Sequence, residues 1–530
     1  MNMAGHDRSP RRPGARAALR GLAGVAALAA AGALTACQIP GGDDPEQEAP
    51  GGAVSGPAGP TSAGDPYVPG DGNGGYDVQH YGLKLSITPD GAEQLSGTAT
   101  ITAKATERLA RFNLDLTDLK VSKVTVNGAP ARTQRAQGEL EITPSQPLDK
   151  GAEFTAVVAY SGTPQPVNDP VLGTYGWIRT PDGVFVACQP SGAQTWFPSN
   201  DHPSDKALFD FEITVPAGLT AVANGTPESL PDGGGAPGDT PGQAPGSPGS
   251  PGTPGEQPGG TPGGGAPGPA VSPIGARAAT TSKWHVENPM ATYLATVTVG
   301  EFAIRNGRTS AGVPVISAAD PSTPTGLDAF HRMNTQVTEE FSKLFGPYPF
   351  ASSGGIVDNA SVGFALETQT RPVYGAYGVT PTLVAHELAH QWFGDSISVT
   401  RWKDIWLNEG FATYAEWIWG ERSGGPALQE QFDQLYATDA RELWDVPPGD
   451  PGRQDMFARS VYDRGAMTLH ALRGKVGDET FFEILRTWTK EKKNANATTQ
   501  QFVDLTERIS GQKLGSFFDA WLYERGRPPR

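Results

Sequence analysis

The segment His386-Glu387-Leu388-Ala389-His390 sets two imidazoles four residues apart. Helix punctuation surrounds it: Thr380 can N-cap, Pro381 suits a first turn, and Gly394 suits a C-terminal stop. On a helix, residues four apart share one face, so both rings point at a common spot. Imidazoles so placed chelate zinc, and the glutamate after the first histidine can reach a water on the metal. Val384, Ala385, Leu388 and Ala389 make the rest of this helix apolar, which predicts that it is buried. Buried histidines need partners, and a cation supplies them. With eighteen residues between them, His390 is followed by Glu409, within Trp406-Leu407-Asn408-Glu409-Gly410-Phe411-Ala412, where a second helix should open. His386, His390 and Glu409 then form a His₂Glu set for one Zn²⁺ per chain. Its fourth position is free for water, the pattern of a catalytic zinc. The plainer reading of Glu409, a solvated helix glutamate, fits poorly with its apolar and aromatic neighbours.

The elements around this site fall into two kinds. From Tyr76 the chain alternates at period two, most cleanly over Leu95 to Ala103. Further strands are predicted at 78–87, 111–116, 120–126, 138–143, 153–160, 207–215, 283–286 and 293–299, with turns such as Asn127-Gly128 between them. The pattern predicts an all-β, sandwich-like domain over 75–305. Beyond about residue 305 the period becomes helical, and helices are predicted at 325–344, 381–393, 404–420, 426–443, 462–475, 478–491, 499–510 and 514–524. A short β patch lies around 355–373. The fold class expected is α+β and multidomain, with a mainly helical catalytic domain over 306–530.

These motifs together resemble the M1 family of zinc aminopeptidases, the gluzincins that include aminopeptidase N and leukotriene A4 hydrolase. The likeness rests on His386-Glu387-Leu388-Ala389-His390-Gln391-Trp392-Phe393-Gly394 and on the segment around Glu409. It is carried further by Phe345-Gly346-Pro347-Tyr348-Pro349-Phe350, Val461-Tyr462-Asp463-Arg464-Gly465 and Trp196-Phe197-Pro198-Ser199-Asn200-Asp201-His202-Pro203. The resemblance implies a thermolysin-like catalytic domain and peptide substrates with a free N-terminus. It implies that Glu387 is the general base and that Tyr462 stabilises the oxyanion. The family's G-A-M-E-N motif corresponds to Phe364-Ala365-Leu366-Glu367-Thr368, so Glu367 is expected to bind the substrate's α-amine, with Ala365 and Leu366 beside it. Gln189 falls where the family has a second amine contact. Phe364 and Thr368 depart from the motif, which puts the local backbone contacts and the shape of the first pocket in question. The chain's extent resembles short bacterial members with two domains. Two other readings of the same residues are a thermolysin-like endopeptidase, which would not need Glu367, and a catalytically silent peptide-binding surface lipoprotein.

The rest of the sequence bears on location and partners. The 530 residues carry a formal charge of −16. Residues 1–36 hold five arginines and one aspartate, so the remainder is more acidic still. An acidic surface excludes nucleic acid as a partner class, because phosphate binding needs clustered Lys and Arg. The arginines precede an apolar stretch, Gly21 to Ala36, of sixteen residues, too short to span a bilayer and suited to an export signal over 1–36. Leu34-Thr35-Ala36-Cys37 resembles the lipobox of bacterial lipoproteins, so Cys37 is the expected lipidation site and the expected membrane anchor, at the extracytoplasmic face. An ordinary signal with a chance cysteine is the bland alternative. Cys188 is the other cysteine of the chain, so no disulfide framework exists. Gly and Pro number 68 and 48 and concentrate in two tracts. Residues 37–74 read as a disordered tether, and 231–274 as a Pro/Gly-rich loop inserted in the β domain.

Overall fold

The computed structural model describes residues 56–136, 138–229 and 278–530. The export signal, Cys37, the first part of the tether and the inserted tract 231–274 lie outside the described residues. No helix among the described residues is long and apolar enough to cross a membrane.

A sheet-rich N-terminal half precedes a helical half, as the periodicities predict. The main sheet has eight strands, in the order Thr226–Pro227, Thr280–Ala291, Lys206–Val215, Tyr76–Ile87, Leu95–Ala105, Glu153–Gly162, Lys120–Val126 and Ala129–Pro130. Within it Tyr76–Ile87 runs parallel to Lys206–Val215 and antiparallel to Leu95–Ala105. The alternation of Leu95–Ala105 is real: every odd position is buried and the threonines between are half-covered. Tyr81 stacks on Phe209 at 4.8 Å and meets Phe197 edge-on at 5.5 Å, tying two of these strands to the Trp196-Phe197 segment. A five-stranded sheet runs Thr220–Ala223, Val297–Gly300, Val184–Ala187, Gly173–Arg179 and Val167–Asp169.

Another five-stranded sheet borders the helices. Its strand Ala303–Arg308 pairs with Pro314–Ala319, which runs parallel to Ser353–Val357. That sheet therefore begins ahead of the expected boundary at 305/306. Val373–Tyr374 and Ala365–Leu366 complete it. The helices are α1 (Leu327–Phe345), α2 (Pro381–Ala389), α3 (Trp406–Arg422), α4 (Leu428–Ala437), α5 (Arg441–Trp444), α6 (Gly465–Val476), α7 (Asp478–Glu491), α8 (Thr499–Ser510) and α9 (Gly515–Phe518).

Three expectations need correction. The described part of the expected tether, 56–74, is folded: Asp65 accepts from the Trp402 backbone N–H at 2.8 Å, and the Tyr67 hydroxyl donates to Asp450 at 2.5 Å. Composition concealed this because a few buried anchors suffice to order a Gly/Pro-rich strand of chain; Tyr67 and Val68 are each 5% exposed. The helix expected to run to 393 stops at Ala389, since the chain tightens there and Trp392 turns into the core to donate to Gly346 O at 3.1 Å. The helix expected over 426–443 is split into α4 and α5 around Thr438, whose carbonyl accepts from the Trp444 indole at 2.7 Å instead of continuing a helical ladder.

Candidate active site

Helix α2 begins as its punctuation predicts. The Thr380 hydroxyl accepts from the Leu383 N–H at 3.1 Å, and Pro381 fills the first turn, where no backbone donor is needed. The apolar face of α2 packs into the core, with Val384, Ala385, Leu388 and Ala389 fully buried. That packing aims His386 and His390 across at α3. Their Nε2 atoms stand 3.2 Å apart, and both approach the same oxygen of Glu409, at 3.4 and 3.3 Å. The triangle so formed has the edge lengths of a tetrahedral zinc site, because bonds of about 2.0–2.1 Å at tetrahedral angles separate ligand atoms by about 3.3–3.4 Å. The donor set and its spacing fit zinc. Outside the triangle, His390 Nδ1 meets the Phe393 carbonyl at 3.0 Å, which fixes the tautomer that leaves Nε2 free.

Electrostatics follow from burial. Glu409 would be raised by burial, but His390 and His386 outweigh this and hold it at about 2. Burial pushes Glu387 up to about 7, against the pull of the two histidines. Glu367 is raised by burial as well. The Tyr462 hydroxyl is held protonated by its surroundings and by the carboxylates of Glu409, Glu367 and Glu387.

The sequence-predicted residues converge on one cleft of about 480 Å³, lined by His386, Glu387, His390, Glu409, Tyr462, Glu367, Gln189 and Ala365 among others. Ligand atoms of Glu367, Glu387 and His390 all lie within 4.8 Å of one another. Gln189 donates its amide to Glu367 at 2.9 Å, joining a residue of the β half to the cleft floor. Tyr462 belongs to a single π-helical turn, Ser460–Arg464, that precedes α6, and its ring stacks on His386 at 6.1 Å. Leu366 is the exception. It is 3% exposed and packs in the core, because successive strand residues face opposite ways and Ala365 takes the cleft side.

Sequence reasoning assigned no role to three residues that hold the site. Gln391 follows the second histidine, donates to the Glu367 carbonyl at 3.1 Å and accepts from the Thr370 N–H at 2.7 Å. It thereby clamps the segment carrying Glu367 to the end of the metal helix. Arg371 is fully buried, donates to the Gly225 carbonyl at 2.8 Å and lies over the Trp284 ring at 5.6 Å. It locks that segment to the β half. Glu416, on α3, stands behind His386. The signals were present as polar residues flanking motif positions, but only the fold reveals their partners.

The chain matches the family model for the Peptidase family M1 domain over residues 376–521 and that for the Peptidase M1 N-terminal domain over 77–234. It is similar to Aminopeptidase M1-A of rice, 24% identical over 85% of this chain and 50% of that one. Aminopeptidase N of Streptomyces lividans is 25% identical, again over 85% and 50%. The chain thus spans about half the length of these curated relatives. A crystal structure of an M1 zinc metallopeptidase from Deinococcus radiodurans superposes with a TM-score of 0.73 at 29% identity, covering 88% of this chain and 98% of that one. A mutant of the same protein has been solved with a Tyr-Ser-Ala substrate, and a two-domain M1 metallopeptidase mutant with L-arginine. The fold and the site define a zinc metallopeptidase, and this chain belongs to peptidase family M1.

Proposed function

We propose that the chain is an exported zinc aminopeptidase that removes single residues from the N-termini of peptides. The observation that carries this reading is Glu367. Its carboxylate, joined to Gln189, lines the cleft beside Glu387 and His390. In a peptide the α-nitrogen lies only about 2.5 Å from its own carbonyl carbon. An ammonium bonded to Glu367 therefore leaves room for one residue before the scissile bond. A buried carboxylate also rejects a neutral, acylated terminus, which cannot offset the desolvation of the charge.

His386, His390 and Glu409 would hold the zinc. Zinc in such a site supplies Lewis acidity that lowers the pKa of water and polarises a carbonyl. Glu387 accepts the proton of the attacking water at its carboxylate and delivers it to the departing amine. The Tyr462 hydroxyl donates to the carbonyl oxygen as negative charge develops there. Glu367 and Gln189 orient the substrate by its amine. Lipidation of Cys37 would keep the enzyme at the extracytoplasmic face of the membrane, a reading supported by Leu34-Thr35-Ala36-Cys37 and the basic, apolar leader.

Aminoacyl-coumarin substrates with free and acetylated termini, assayed with and without chelator, test this reading. Cleavage of the free-amine set alone, lost on chelation and restored by zinc, is expected. Equal cleavage of acetylated longer peptides would instead identify an endopeptidase. Zinc binding without any hydrolysis would identify a peptide-binding protein.

A further inference from the structure

His386 has a partner on each side. Its Nε2 faces Glu409 and His390, and its Nδ1 faces the Glu416 carboxylate at 3.4 Å. We infer that Glu416 is a positioning residue for the metal site, acting through His386. The inference rests on the zinc reading above and goes beyond it, since Glu416 is not one of the three ligand residues.

Three observations carry it. First, Glu416 and Glu409 sit seven residues apart on α3, two helical turns along the same face. One rigid rod thus delivers a metal ligand and the outer partner of a second ligand. Second, among the described residues no lysine or arginine lies within ion-pair distance of Glu416, and its charge is directed at His386. A solvated helix glutamate would ordinarily pair with a neighbouring base or point to water, yet this side chain is two-thirds covered and lines the cleft. Third, the two histidines are treated differently. His390 Nδ1 meets a neutral carbonyl, whereas His386 Nδ1 meets a carboxylate. A carboxylate facing the Nδ1 edge of an imidazole makes it the more basic ligand at Nε2 and favours one ring orientation. Tyr462 covers the face of the same ring. His386 is therefore gripped by charge at its far edge and by stacking on one side.

The test compares Glu416→Ala and Glu416→Gln with the full-length wild type. Zinc affinity is read by competition with a chelator, alongside the melting temperature of the zinc-free protein and the visible spectrum of the cobalt-substituted protein. For Glu416→Ala the expected result is an affinity about 10- to 100-fold weaker and a changed cobalt spectrum, with the metal-free melting temperature unmoved. Glu416→Gln keeps an acceptor without the charge and should fall between Ala and wild type. Kinetically, the loss should appear in kcat at saturating zinc with KM little changed. An unaltered zinc affinity in Glu416→Ala, in a wild type that does bind zinc, overturns the inference. A wild type that binds no zinc would instead overturn the function proposed above.

Discussion

Among the described residues, two places gather two histidines around one carboxylate. In the cleft, His386 and His390 face Glu409. On the outer face of the eight-stranded sheet, His80 and His285 face Asp210 from the strands on either side, at 2.8 and 2.5 Å. The residue types match, and the chemistry does not. Each outer histidine takes its own oxygen of Asp210, so ordinary hydrogen bonds satisfy the set. Those side chains are 30–51% exposed, and water completes what the bonds leave. In the cleft both rings converge on a single oxygen, at distances long for hydrogen bonds, while their nitrogens approach each other and the three side chains are only 1–11% exposed. Convergence without satisfaction is what a metal ligand set requires; a run of motif letters does not by itself distinguish the two.

Removing one corner of each set breaks the comparison most severely. Glu409→Gln is expected to abolish both bound zinc, measured by metal analysis of the purified protein, and turnover. Asp210→Asn should retain zinc at the wild-type ratio; equal zinc loss in the two variants would show that the outer set also takes metal. Next in size is Glu387→Gln, expected to lower kcat by about 10²- to 10⁴-fold while zinc stays bound, because the general base is gone and the ligands are intact. Near-wild-type turnover in that variant would sink the assignment. Glu367→Ala should reduce kcat/KM for free-amine substrates by about 10- to 100-fold, the worth of hydrogen bonds to a charged group. Its effect on acetylated substrates should be slight, and a uniform loss across both sets would point to collapse of the cleft.

The smallest effect is expected on the outer face. Burial raises Asp210, but bonds from His285 and His80 outweigh it and hold the carboxyl below 3.8. A depressed acid contributes stability that is present above its unfolded value and fades as pH falls through its folded one. Asp210→Asn should therefore cost at most about 1 kcal/mol at neutral pH, after solvent screening of an exposed pair. The gap to wild type should close as the pH drops below 3.8, followed as urea midpoints. A gap persisting under acid would trace the loss to packing.

The same contrast marks what was legible in the sequence. Helix α2, its Thr380 cap and the ligand spacing were readable because they depend on residues within one or two turns of each other. The strands with one face in water were readable for the same local reason. Val184–Ala187 was not, being buried on both faces and lacking alternation, and neither was Arg132–Ala136, exposed throughout. Gln391, Arg371 and Glu416 escaped notice because their partners lie on other elements. Leu366 was grouped with the cleft because a motif does not say which way a strand residue points.

The segment 56–74 has a mechanical consequence. It is stapled to the helical half through Asp65 to Trp402 and Tyr67 to Asp450, and to the β half through Asp65 facing His202. Tension arriving along the chain from its N-terminal side meets these staples before it meets strand Tyr76–Ile87. The load is then shared by both halves as a sideways pull on folded contacts, and the first strand of the main sheet is spared from being unzipped from its end.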